Sequence, residues 1–157
     1  MSISRAPARP AAPPAAAANP RQLAMRELLA GVADDTAAYA TLQDLLQQQF
    51  QAALRHQATE LGAVAAAIST LVDQMQARRQ QRVALVQRLV GSTGNMMQAF
   101  ALLKNTAREK MEQDWQALER AVIECKRLSK RNGDLLVEQY TIMQRVLHGE
   151  EHIYAPA

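Results

Sequence analysis

Residues 61–89 read LGAVAAAISTLVDQMQARRQQRVALVQRL. Leu61, Val64, Ile68, Leu71, Met75, Arg78, Arg82, Leu85 and Leu89 follow one another in alternating steps of three and four without a slip. A strand would put every second residue on one face, whereas this spacing gathers one stripe along a helix, and a stripe held this long is a heptad seam that packs against other helices. Two seam positions are arginines. The stripe is therefore interrupted midway, either because the packing face drifts at 3.6 residues per turn or because a partner meets it there.

The seam's surroundings are equally helical. No proline occurs from residue 21 to residue 155, which leaves room for long helices on both sides. Upstream, Asn19-Pro20 is a start signal: the Asn side chain can accept from orphan amides, and proline takes the first helical position, where no amide is needed. Helix one is predicted over residues 20–56, with Leu28, Val32, Tyr39, Leu42, Leu46, Phe50 and Ala53 inward, and with Gly31 and Asp34-Asp35 as points where it bends or breaks. Downstream, Gly91-Ser92-Thr93-Gly94-Asn95 is a turn, and Met96, Met97, Phe100, Leu102 and Leu103 form a short helix capping one bundle end. Helix three is predicted over residues 106–147. Its seam reads Met111, Trp115, Leu118, Val122, Cys125, Ser129, Asn132, Leu136, Gln139, Met143 and Val146, more polar in its second half. At 1.5 Å per residue such a helix is about 60 Å long, which requires an elongated molecule. The predicted fold is all-α, an elongated antiparallel helical bundle or coiled coil of three long helices plus a short connecting helix.

Composition agrees. With 157 residues and 30 alanines and 17 glutamines against 6 aromatic side chains, the chain is a single domain, and an all-β fold is excluded. A net charge of +3 is too small to draw a polyanion by bulk attraction. One cysteine, Cys125, excludes an internal disulfide and fits a reducing compartment. Residues 1–19 form a Pro/Ala-rich leader expected to be disordered, whose prolines interrupt any signal-peptide core; residues 20–148 form the helical domain and 149–157 a short tail. No apolar run approaches the length of a membrane span, so membrane insertion is not expected.

Little in the chain suggests catalysis. His148-Gly149-Glu150-Glu151-His152 matches a zinc-protease pattern literally, but glycine inside the motif and a shortage of further ligands favour a fraying helix end. Cys125 reads as a small core residue. Lys126, Arg127, Lys130 and Arg131 make a basic band on outward positions, interleaved with Glu119, Glu124 and Asp134, which reads as a solvated face. Met96, Met97, Met111 and Met143 suit core gaps or a surface that accepts partner helices. In Asn132-Gly133 the asparagine fixes register, and the glycine is tolerable where another backbone comes close. No enzyme activity and no cofactor are expected.

From Leu128 to Tyr154 the chain carries Asn132-Gly133-Asp134-Leu135-Leu136, spaced Gln139 and Gln144, Leu147-His148-Gly149 and a late Tyr154. This resembles the C-terminal signature of the FlgN family of flagellar export chaperones. Leu42, Leu45, Leu46, then Leu71-Val72-Asp73-Gln74-Met75, Arg82 and Leu89-Val90-Gly91 are similar to the family's first two helices. The resemblance spans residues 21–154, and the leader is no part of it. It implies a cytoplasmic, non-enzymatic chaperone that binds the C-terminal helical region of hook-filament junction proteins (hook-associated proteins of the FlgK and FlgL type). Such a chaperone prevents premature assembly and aids delivery to export gate and ATPase components. It also implies that Asn132, Gly133, Leu135, Leu136, Tyr140, Met143, Leu147, Ile153 and Tyr154 contact the client. The alternatives are a coiled-coil adaptor that self-associates through the same seams and a nucleic-acid binder using the basic band.

Overall fold

The computed structural model describes residues 19–154, with side chains as far as Glu150, together with Ser2, Ser4 and residues 6–9. Most of the 1–19 leader and residues 155–157 of the tail lie outside the described residues. Four helices make up the rest: α1 (Pro20–Leu54), α2 (Ala58–Val90), α3 (Met96–Phe100) and α4 (Asn105–Tyr154). No strand occurs among the described residues.

α1 starts where Asn19-Pro20 says it should. The Asn19 side chain accepts from the Arg21 amide at 2.8 Å, and the Gln22 side chain accepts in return from the Asn19 amide at 3.3 Å. α1 then runs unbroken through Gly31 and Asp34-Asp35, because the buried Leu28, Val32 and Asp35 hold this stretch by tertiary packing that outweighs weak propensity. His56 closes the turn into α2 with a φ of 54°, and Gly91 ends α2 with a φ of 91°, the left-handed region that glycine enters freely. A reciprocal cap between Asn95 and Gln98 opens α3, both bonds at 2.9 Å.

The three long helices run up, down and up. α1 packs against both α2 and α4, whereas no Cα atoms of α2 and α4 come within 8 Å of each other. α1 is thus the central staff of the bundle. It runs parallel to α4 at a constant offset of 86 residues: Cys125 Sγ to Tyr39 O at 3.7 Å, Asn132 Nδ2 to Leu46 O at 2.7 Å, and Gln139 Nε2 to Ala53 O at 2.9 Å. The partners recur every seven residues on both helices, the mark of a parallel coiled-coil pair.

Two apolar clusters fill the interior. One joins Leu28, Val32, Leu85, Leu89, Phe100 and Met111 at the α3 end; the other joins Leu42, Leu46, Cys125 and Leu128. Asp35, 3% exposed, sits on the α1 seam between them. Its carboxylate accepts from Arg78 Nε at 2.7 Å and pairs with Arg82. Arg82 also lies over the Trp115 ring, 5.2 Å from its centroid. The interruption of the α2 seam therefore has a partner inside the molecule, a buried acid that answers both arginines.

Two readings of helix three need correction. The seam passes through Leu128, which is buried, and not through Ser129, which is exposed, because the step of three from Cys125 keeps it facing α1. The helix also runs past residue 147 to Tyr154, since a single glycine costs a helix only about 1 kcal/mol relative to alanine.

Candidate functional site

α1 and α4 part company at Gln139. The 86-residue offset pairs Gln139 with Ala53, and α1 ends one residue later at Leu54. One heptad further on, Val146 has no α1 residue opposite it. From Tyr140 to Tyr154 the helix extends for about 22 Å beyond its companion at 1.5 Å per residue.

That extension is not polar. Tyr140 is 59% exposed, Met143 52% and Leu147 51%, with Val137, Ile142 and Val146 exposed beside them. Isolated exposed apolar residues are ordinary, but six of them close together on one helix make a contiguous patch of the kind that marks an interaction surface. At its root lies a cleft of about 580 Å³ between His56, at the α1–α2 turn, and Leu136, Gln139, Tyr140, Ile142 and Met143.

The residues expected to contact a client divide here. Leu136, Tyr140, Met143 and Leu147 share this surface, the first half-buried and the others exposed. Leu135 is half-buried next to Phe50 and Arg131 in a shallower cleft of about 420 Å³. Asn132 stands apart: it is 2% exposed, and its amide donates to Leu46 O and to Gln49 Oε1 at 2.9 Å. It locks α4 to α1, the register role its position suggests. Gly133 is exposed, and a Cβ placed there would meet nothing within 4 Å, so the close backbone approach expected at this glycine is absent. The reason is rotational: with Asn132 turned to α1, the next residue lies about 100° round the helix, toward solvent. The side chains of Ile153 and Tyr154 lie outside the described residues, as do those of Glu151 and His152 of the histidine motif.

Sequence reasoning named neither Val137 nor Ile142. Their signal was present, because apolar residues at 135, 136 and 137 and at 142 and 143 give this part of α4 two adjacent stripes where one seam needs only one. A second groove, of about 500 Å³, opens at the other end of the bundle between α2, α3 and α4, with Val83, Met97 and Trp115 on its walls. Met96 and Met111 nearby are buried core residues, while Met97 is exposed.

Charge is mostly spent locally. Arg127 pairs with Glu124 at 2.6 Å and Lys130 with Asp134 at 2.7 Å, both within α4. Arg131 lies 3.7 Å from the Phe50 ring centroid and donates to Gln47 Oε1 at 3.0 Å. The Glu124 carboxyl is held below its usual range by its hydrogen bond to Arg127, and the Lys130 ammonium above its own by Asp134. Burial, and secondarily Glu124, pushes the Cys125 thiol up, the opposite of what a nucleophile needs. Among the described residues no group of three His, Cys, Asp or Glu side chains could hold a metal ion, and no helix is long and apolar enough to cross a membrane.

A family model described as FlgN protein matches residues 25–148, most of the chain. The chain belongs to the FlgN family. No curated protein and no solved structure matches it. FlgN proteins are flagellar export chaperones that bind flagellar proteins. The match begins in the second turn of α1 and ends at His148, so α2, α3, most of α1 and α4 through His148 fall within the FlgN region.

Proposed function

We propose that this FlgN-family protein is a cytoplasmic, non-enzymatic chaperone of flagellar type III export that binds the C-terminal helical region of hook-filament junction proteins, of the FlgK and FlgL type, along α4 beyond Gln139. The observation that carries the reading is the loss of α1 at Leu54 while the apolar stripe of α4 continues. An apolar helix left without its companion is a site for another amphipathic helix, laid into a groove by its i, i+3, i+4 and i+7 side chains. Junction-protein ends that pack as coiled coils after assembly carry stripes of that kind, and covering them keeps the client unassembled until it reaches the export gate and ATPase components.

In this reading Tyr140, Met143 and Leu147 are the anchors, Leu136 closes the root of the groove, and Leu135 lies at its edge. Gly133 borders the surface, whereas Asn132 serves it indirectly by fixing where α4 leaves α1. Ile153 and Tyr154 extend the same helix. The test is Met143→Lys combined with Leu147→Lys. Both side chains are exposed, so helical content and thermal midpoint should stay near those of the parent, while capture of a junction-protein C-terminal helix falls by at least tenfold. Undiminished capture by this variant would refute the assignment.

A further inference from the structure

The turn between α1 and α2 is closed by a residue that its backbone does not favour. His56 has a φ of 54°, and among the described residues only Gly91 shares a positive φ. The Gln57 amide donates to Ala52 O at 3.0 Å and the His56 amide to Ala53 O at 3.2 Å, the paired bonds of a helix end whose left-handed residue is most often glycine. Any Cβ at that position is crowded by its own backbone. The end of α2 uses glycine for this reason alone, since a Cβ on Gly91 would meet nothing else within 4 Å. The end of α1 keeps an imidazole instead.

His56 stands at the root of the uncovered part of α4, in the wall of the cleft it shares with Gln139, Tyr140, Ile142 and Met143. It is exposed, and among the described residues its imidazole has no hydrogen-bond or ionic partner, so no bond of the free chain offsets the strained turn. Strained positions of this kind are held at ligand clamps, where the side chain belongs to the site. Asn132 and Gln139 turn one face of α4 to α1, and Ile142, Met143 and Val146 continue that face beyond it. A helix laid there follows the line of α1, and α1 itself stops it at the turn. A helix end carries backbone groups with no partner inside the helix, and an imidazole can both donate and accept. We infer that His56 is a contact residue of the client site: its imidazole hydrogen-bonds the free backbone groups at the end of the client helix and sets how far along α4 that helix lies. The inference rests on the client reading given above.

The experiment measures capture of a junction-protein C-terminal helix by the full chain, by His56→Gly, by His56→Asn and by Met143→Lys combined with Leu147→Lys. Glycine suits the left-handed turn, so His56→Gly should raise the thermal midpoint by about 2 °C. Its capture should nevertheless weaken about tenfold, a loss that no folding defect explains. Asparagine also enters the left-handed region and both donates and accepts, so His56→Asn should capture within about threefold of the parent. Capture by His56→Gly equal to that of the parent overturns the inference. So does an equal loss in His56→Asn, which would leave hydrogen bonding no part in it. If the double lysine variant loses the client while His56→Gly keeps it, the client reading stands and the role of His56 alone falls; a parent that captures no helix removes both.

Discussion

Asp35 shows what one side chain does to a seam. Sequence alone marks it as a point where α1 breaks, because an acid beside another acid at an inward position has no local partner. Its partners lie 43 and 47 residues away, on a helix running the other way, and only the folded hairpin brings them together. Asp35→Ala would leave Arg78 and Arg82 without their counter-ion. Because both arginines keep some solvent contact, we expect a loss of about 2–3 kcal/mol, below the full cost of breaking a buried pair, read as a shift of the urea midpoint. Cys125 gives a second test. A thiol whose pKa is raised by burial holds its proton in the folded chain while the unfolded chain ionises near its ordinary value of about 8.5. The stability it contributes is therefore present below that value and is lost as pH rises through the higher folded pKa. Iodoacetamide should modify Cys125 far more slowly in the native protein than in denaturant at about pH 8.5. Cys125→Ala should flatten the decline of stability between about pH 8 and 10, and a thiol labelled equally fast in both states would contradict its burial.

At the scale of the helix, the α2 seam was legible residue by residue: every position from Leu61 to Leu89 in the three-four register is shielded from solvent. Local patterning suffices there because the spacing alone sets the buried stripe. α4 was harder. Choosing between Leu128 and Ser129 requires knowing where α1 lies, and the end of α4 could not be read from Gly149, since one glycine among helix formers does not stop a helix. Leu136, Tyr140, Met143 and Leu147 were singled out through the family resemblance, but how far each is exposed depends on where α1 stops, which is a property of another element. Gly133 offers a test of α4 itself. Its surroundings are open, so Gly133→Ala should stabilise the protein by about 0.5–1 kcal/mol in thermal or urea unfolding. Destabilisation would mean that another segment packs against it.

For the whole molecule, the constant offset between α1 and α4 means that the bundle has one parallel pair, cut short on one side. From Met111 to Gln139 α4 is packed into the bundle, and the part beyond Gln139 has no companion in α1. A packed core face and an uncovered apolar surface thus lie on one continuous helix, divided by the point where its companion ends. Backbone amides in the paired part are protected by packing, while those beyond it rely on a helix with little tertiary support and should open readily. Hydrogen exchange followed by mass spectrometry, at low micromolar concentration and with or without a junction-protein C-terminal helix, tests this directly. Residues 140–150 should exchange at least tenfold faster than residues 111–132 in the free protein, and should slow markedly when the client helix is added. Equal protection of the two segments without client, or no change on adding it, would contradict the account.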